Sequence, residues 1–170
     1  MADDGLRALR VNALELLRQP GAVKPVEATV SALALEVLHD SLDGDVEVDL
    51  VLEALNVGIT VRGTVAAPWK GVCRRCLTGL SGRAQGAVDE LYQVNVTDDD
   101  AFPIENNQLV LAPMVRQTAL LELDEVRLCR PDCAGLCPVC GADRNDTRCD
   151  CDTTVTDDRW AALDALRLEE

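Results

Sequence analysis

The eight cysteines of the chain fall into four close pairs, and no other feature constrains its folding as strongly. Cys73-Arg74-Arg75-Cys76 stands in mid-chain. Far downstream come Cys129 with Cys133, Cys137 with Cys140, and Cys149 with Cys151. A short loop lets two sulfurs approach one ion, and zinc takes four thiolates in a closed tetrahedral set. Four pairs thus make two sets of four. Cys137-Pro138-Val139-Cys140-Gly141 is the most knuckle-like segment. Pro138 fixes one backbone angle, Gly141 tolerates a left-handed conformation after the second sulfur, and backbone N–H groups in such a loop can bond the thiolates.

The expected partition joins Cys73 and Cys76 to Cys129 and Cys133, clipping a hairpin tip to the segment after a helix. Cys137, Cys140, Cys149 and Cys151 then form a local mini-ribbon. Swapped partitions, or a single ion with spare thiols, stay open at this stage. The expected cofactor is structural zinc, one or two ions. Such an ion contributes about 10–16 kcal/mol in small peptides, whereas a whole domain is stable by about 5–15 kcal/mol. Metal loss should therefore unfold at least the C-terminal third. An iron–sulfur cluster can use the same ligands. A dithiol redox enzyme needs a βαβ context and one activated thiol, whereas this C-x-x-C lies between segments expected to be antiparallel strands. Disulfides require an oxidising compartment. The start, Met1-Ala2-Asp3-Asp4-Gly5, has no basic region or apolar run of a leader, and no stretch is apolar enough for a span. A cytoplasmic protein without membrane contact is expected.

The rest of the chain reads as an α+β domain: an antiparallel sheet of three to five strands with flanking helices and a zinc-knuckle C-terminal region. Val46, Val48, Leu50 and Leu52 alternate with Glu47, Asp49 and Glu53, interrupted only by Val51. Period two marks a half-buried strand. Ile59, Val61 and Val65 alternate with Thr60, Arg62 and Thr64, predicting a second strand paired to the first across a tight turn. Residues 80–94 supply a third strand, which puts the C-x-x-C at the turn between strands two and three. Val26, Ala28 and Val30 give a weaker strand signal, residues 6–19 read as a short helix or a strand plus a turn, and residues 40–45 and 97–100 read as loops. Pro113 suits a first helical position and Met114 to Leu123 is rich in helix formers. A last helix is expected over 157–168, capped by Thr156 or Asp157, with Trp160, Leu163 and Leu166 as apolar contacts. Residues 1–126 form the mainly β part and 127–170 the cysteine-rich part, expected to fold as one cooperative unit.

Only two Trp, one Tyr and one Phe are present, so the core rests on Val, Leu and Ala. A net charge of −14 repels phosphate on average and suits a basic protein partner or plain solubility. One stretch differs. From Ala54 to Val88 there is no Asp or Glu, but there are Arg62, Lys70, Arg74, Arg75 and Arg83, with Trp69 beside the knuckle. Lys70, Arg74, Arg75, Arg83 and Trp69 are therefore candidate RNA contacts, the cations for phosphates and the indole for one base. Equally, Arg74 and Arg75 can offset the charge that four thiolates leave on one zinc, and Trp69 can simply pack. His39 is the only histidine and lies far from the cysteines. There is no nucleophile elbow, phosphate-binding loop or H-E-x-x-H, so no enzyme and no small-molecule substrate are expected.

Gly63-Thr64-Val65 leading to Cys73-Arg74-Arg75-Cys76-Leu77, then Leu128-Cys129-Arg130-Pro131-Asp132-Cys133-Ala134-Gly135-Leu136-Cys137-Pro138-Val139-Cys140-Gly141 and Cys149-Asp150-Cys151, resembles the YceD-type large ribosomal RNA subunit accumulation family. The likeness spans roughly residues 6–168 and departs at Asp124-Glu125, where relatives carry an apolar, proline-containing step. It implies a ribosome biogenesis factor promoting accumulation of large-subunit (23S) ribosomal RNA, with the rRNA precursor or a basic large-subunit ribosomal protein as partner, and it carries no enzymatic activity. The alternative is a metal-stabilised protein-interaction module, linked to transcription or chaperoning a basic ribosomal protein.

Overall fold

The computed structural model describes residues 2–123 and 127–153. The expected helix over 157–168 and the Asp124-Glu125 step lie outside the described residues. The described chain runs α1 (Ala2–Ala8), β1 (Arg10–Asn12), α2 (Ala13–Leu17), β2 (Val23–Val30), β3 (Val46–Leu55), β4 (Gly58–Val72), β5 (Gly79–Gln93), β6 (Phe102–Pro103), β7 (Gln108–Val110) and α3 (Ala112–Leu123). It divides into two compact units. One holds the residues up to Gly71 together with Gly79–Arg127. The other holds Val72–Thr78 together with the residues from Leu128 on. The C-x-x-C tip thus belongs with the other cysteines. Among the described residues no helix is long and apolar enough to cross a membrane.

The first unit is built on a five-stranded sheet in the order β2-β3-β4-β5-β6. β3 shows why. Val46, Val48, Leu50, Leu52 and Ala54 are buried, while every residue between them is at least partly exposed. Val51 keeps the parity as an outward-facing residue, 43% exposed, so the apparent break in the pattern is only an apolar residue on the wet face. β3 pairs antiparallel with β2 (Val26 opposite Leu50) and with β4 (Val61 opposite Leu52). β4 and β5 are neighbours joined by only Cys73–Thr78, too short for a crossover, so they form a hairpin.

Three expectations are corrected. The sheet is mixed, because β6 runs parallel to β5, with Tyr92 opposite Phe102. The acidic loop brings the chain back alongside β5 in the same direction, and the Gln93 side-chain carbonyl holds it by accepting from the Thr97 and Asp98 N–H groups. Residues 6–19 are neither one helix nor a strand plus a turn. They contain the end of α1, then β1, which pairs with β7 in a separate two-stranded sheet, then α2. Asn12 ends β1 and caps α2 by accepting from the Leu14 N–H at 3.0 Å. Third, α3 begins at Ala112, which makes Pro113 its second residue.

The apolar side of α3 buries Met114, Val115, Ala119 and Leu123 in the same core as the inward residues of β3, β4 and β5. Its contact with β5 is close at Gly86, where an added Cβ would lie 2.5 Å from the Thr118 methyl. Tyr92 is the largest fully buried side chain among the described residues and stacks on Phe102 with centroids 5.1 Å apart. His39 is half-buried in the β2–β3 connection, where its Nδ1 accepts from the Ser41 N–H.

Candidate metal centres

The two C-x-x-C loops adopt one backbone design. The Cys73 N–H donates to the Thr78 carbonyl and the Leu77 N–H donates back to the Cys73 carbonyl, at 2.8 and 3.0 Å. The Cys137 N–H donates to the Ala142 carbonyl and the Gly141 N–H to the Cys137 carbonyl, at 2.8 and 2.9 Å. In both, the residue after the second cysteine is left-handed, Leu77 at φ 61° and Gly141 at φ 75°. Gly141 meets that demand without strain, while Leu77 holds it against the usual cost to a side chain.

These loops gather two sulfur quartets, Cys73, Cys76, Cys129 and Cys133 in one and Cys137, Cys140, Cys149 and Cys151 in the other. Within each, all four sulfurs lie within 4.8 Å of one another. The partition expected from spacing is therefore the one the fold brings together. In the first quartet the Cys73 and Cys133 sulfurs are 3.8 Å apart and those of Cys76 and Cys129 are 3.6 Å apart. Those separations are far beyond a disulfide bond of about 2.05 Å. They match the edge of a tetrahedron with zinc–sulfur bonds of about 2.3 Å, roughly 3.8 Å. The sulfurs are too close to admit a multi-iron cluster between them, so each quartet has room for one ion. Each set of four can hold that ion with sulfur at every position of a tetrahedron.

Neighbouring N–H groups favour the thiolate at Cys73, Cys133 and Cys137. The Arg75 N–H points at the Cys73 sulfur at 3.4 Å. The backbone N–H of Cys76 above all, then those of Cys129 and Arg75, bring the Cys73 thiol down to about 6. The same cause acts at Cys137, where the N–H groups of Cys140 and Val139 bring it to about 6. Burial pushes the Cys133 thiol up, but the Asn145 side-chain amide and the Gly135 N–H outweigh it and hold the thiol below its ordinary value. Cys129 and Cys151 are pushed up to about 12, chiefly because they share protons with Cys133 and Cys140 respectively. Cys149 is raised for the same reason, through Cys137. A lowered thiol at Cys73 is also what a redox dithiol needs. Here, however, the thiol is fully buried, and its counterpart Cys137 is lowered by the same loop design.

The first quartet is braced by its surroundings, with Cys73, Cys76 and Cys133 buried and Cys129 exposed. The Arg75 guanidinium donates to the carbonyls of Cys133 and Pro131, at 3.0 and 3.3 Å, and so ties the two ligand segments together. The Arg75 carbonyl in turn accepts from the Leu136 N–H. Gly135, at φ 72°, passes so close that a Cβ there would lie 3.0 Å from that carbonyl oxygen. The Cys76 sulfur lies 3.2 Å from the Thr78 hydroxyl. Asn145 donates from Nδ2 to the Cys133 sulfur at 3.4 Å. Sequence reasoning missed Thr78, Gly135 and Asn145. A short polar residue within a few positions of a ligand pair was the available signal.

The basic stretch looks different once the strands are paired. Arg62 is matched by Asp89 on β5 at 2.9 Å, Lys70 by Asp43 at 2.8 Å, and Arg83 by Glu47 on β3. Acidic residues absent from the local sequence arrive from neighbouring segments. Arg75 serves the quartet. Arg74 is exposed and makes no hydrogen bond or ion pair among the described residues. The Trp69 ring is half-buried, with the Arg127 guanidinium 3.9 Å from its centroid and Gly82 against its edge. Its Nε1 is buried without a partner among the described residues. Packing thus occupies the indole, and base stacking would have to displace Arg127.

The family model described as large ribosomal RNA subunit accumulation protein YceD matches residues 61–167. An uncharacterized protein of Mycobacterium tuberculosis is 36% identical over 143 residues, covering 78% of this chain and 69% of that protein. Another uncharacterized protein, of Mycobacterium leprae, is 31% identical over 134 residues, 73% of this chain and 62% of its own length. The Arabidopsis thaliana protein named large ribosomal RNA subunit accumulation protein YCED homolog 1, chloroplastic, is 32% identical over 66 residues, 39% of this chain and 21% of its own. No solved structure matches the chain.

Proposed function

The chain belongs to the YceD family of large ribosomal RNA subunit accumulation proteins, and from that membership we propose that it is a cytoplasmic, non-catalytic ribosome biogenesis factor that promotes accumulation of 23S ribosomal RNA, its cysteine-rich unit built around two structural zinc ions. The two all-sulfur quartets carry the structural half of this reading. A catalytic zinc keeps a position open for water or substrate, whereas four thiolates leave none. When bound, the metal supplies a cross-link between distant chain segments. Cys73 and Cys76 hold it from the hairpin tip, Cys129 and Cys133 hold it from beyond α3, and the second quartet folds the ribbon locally.

The direct partner is the large-subunit rRNA precursor or a basic large-subunit ribosomal protein. A chain with 30 acidic and 16 basic residues suits the protein partner over most of its surface. Arg74 at the knuckle is the position best suited to a phosphate, because it is exposed and uncommitted among the described residues. Lys70 and Arg83 remain contacts of the same kind, since exposed ion pairs are weak enough for a phosphate to replace one partner. Sedimentation of tagged protein from a lysate tests the process. Co-migration with large-subunit precursors is expected, and exclusive recovery in the free fraction would overturn it in favour of an interaction module outside the ribosome. Crosslinking in growing cells then identifies the RNA or protein touched.

A further inference from the structure

Asn145 lies on the loop between Cys140 and Cys149, within the second quartet's own ligand span, yet its side chain serves the first quartet. Its Oδ1 accepts from the Ala134 N–H at 2.8 Å and from Arg130 Nη2 at 2.7 Å. Its Nδ2 donates to the Cys133 sulfur at 3.4 Å and to Asp143 Oδ1 at 2.6 Å. Two donors face the oxygen and two acceptors face the nitrogen, so the orientation of the amide is set by the network. Asp143 also accepts from the Asn145 backbone N–H at 2.9 Å, and the next loop bond runs from the Arg144 N–H to the Gly135 carbonyl at 2.9 Å. The loop closed by one metal thus delivers the hydrogen bond that supports a thiolate of the other.

We propose that Asn145 is a positioning residue coupling the two metal centres, so that filling of the Cys137, Cys140, Cys149 and Cys151 quartet raises the affinity of the Cys73, Cys76, Cys129 and Cys133 quartet. The inference rests on the metal-binding reading given above. The order follows from where the ligands stand. The second quartet takes all four ligands from residues 137–151, while the first must bring the hairpin tip together with the segment that carries Cys129 and Cys133, and its Asn145 donor comes from the second quartet's own loop. With the local site filled, Asn145 stands in place and the distal site forms against a prepared donor. Coupling between binding sites is reciprocal, so the first metal also favours the second.

The test is a zinc titration of the full chain in a chelator-buffered series, read by alkylation of each cysteine and peptide mass mapping, which scores the two quartets separately. In the wild type, Cys137, Cys140, Cys149 and Cys151 should become protected first. Asn145→Asp keeps the acceptor that holds Arg130 and Ala134 but replaces the donor to sulfur by a carboxylate oxygen. It should move protection of the first quartet to zinc concentrations roughly tenfold to a hundredfold higher, the usual effect of losing a hydrogen bond to a metal ligand, while the second quartet keeps its midpoint. Asn145→Ala should do the same. Cys149→Ser with Cys151→Ser should also weaken the first quartet, and adding Asn145→Asp to that pair should cost little more. Wild-type protection of the first quartet in Asn145→Asp, or effects of the two changes that simply multiply, would overturn the coupling while leaving two metal sites in place. Failure of every cysteine to be protected at any zinc concentration would instead remove the metal reading itself, and the coupling with it.

Discussion

Leu77 and Gly141 fill the same place in two copies of one loop, and the difference between them is a measurable strain. Gly141→Ala finds open space for its methyl group but must hold φ near 75°. It should cost about 1 kcal/mol or somewhat more in the stability of the metal-loaded form. Leu77→Gly removes the same cost, and because Leu77 is 60% exposed it forfeits little burial. Greater freedom in the unfolded chain takes back part of the gain, so stability should stay level or rise by up to about 1 kcal/mol. Thermal melts of the two variants check both signs. The neighbouring arginines also separate. Arg75→Ala breaks two bonds to ligand-segment carbonyls and should weaken zinc retention, whereas Arg74→Ala should leave zinc bound and reduce RNA crosslinking if the tip meets phosphate. Tyr92 offers a pH test. Burial, then the charge of Glu90, push its hydroxyl pKa up, and the oxygen has no hydrogen-bond partner among the described residues. With the folded value above the unfolded one of about 10, this group's contribution is fully present below pH about 10 and is lost as pH rises beyond it. Tyr92→Phe should change neutral stability by no more than about 1 kcal/mol, since no hydrogen bond is lost. It should also flatten the alkaline decline in the urea midpoint.

Among the elements, β3 was legible because one face is wet and the other dry, which gives a period-two pattern that no register slip can satisfy. Leu50→Ala, at a fully buried position, should cost about 2–5 kcal/mol in urea unfolding. Val51→Ala, one residue along on the wet face, should stay within about 0.5 kcal/mol. The long strands, α3 and both quartets were likewise visible, since each rests on a local period or on cysteine spacing. The pieces that escaped depend on distant partners. β6 has two residues and is held by the meeting of Phe102 with Tyr92 and by the bond from the Ile104 N–H to the Gln93 carbonyl. β1 has three residues and needs β7 from about 100 positions later. The basic character of residues 54–88 was overestimated for a related reason. Charge read along the chain takes no account of Asp43, Glu47 and Asp89, which pairing sets beside Lys70, Arg83 and Arg62. Asn145 carries no periodicity, and its role emerges only from the two knuckles it joins.

At the scale of the whole chain, all eight cysteines belong to the second unit and the apolar core of the first contains none. Metal and hydrophobic burial therefore stabilise different parts. A zinc contribution of about 10–16 kcal/mol rivals the total stability of an ordinary domain, so a strong chelator should abolish hydrogen-exchange protection in Val72–Thr78 and from Leu128 to Cys151. β3 and the part of β4 up to Gly71 should retain theirs. Loss of protection throughout would mean that the two units fold as one cooperative whole, as the sequence alone led us to expect. The decisive measurement is the native mass of freshly isolated, reduced protein. Two zinc ions bound to every chain, released together with loss of the second unit's protection, is the expected result. A metal-free mass, or a single ion with four alkylatable cysteines, would contradict the paired thiolate scaffold on which the proposed function is built.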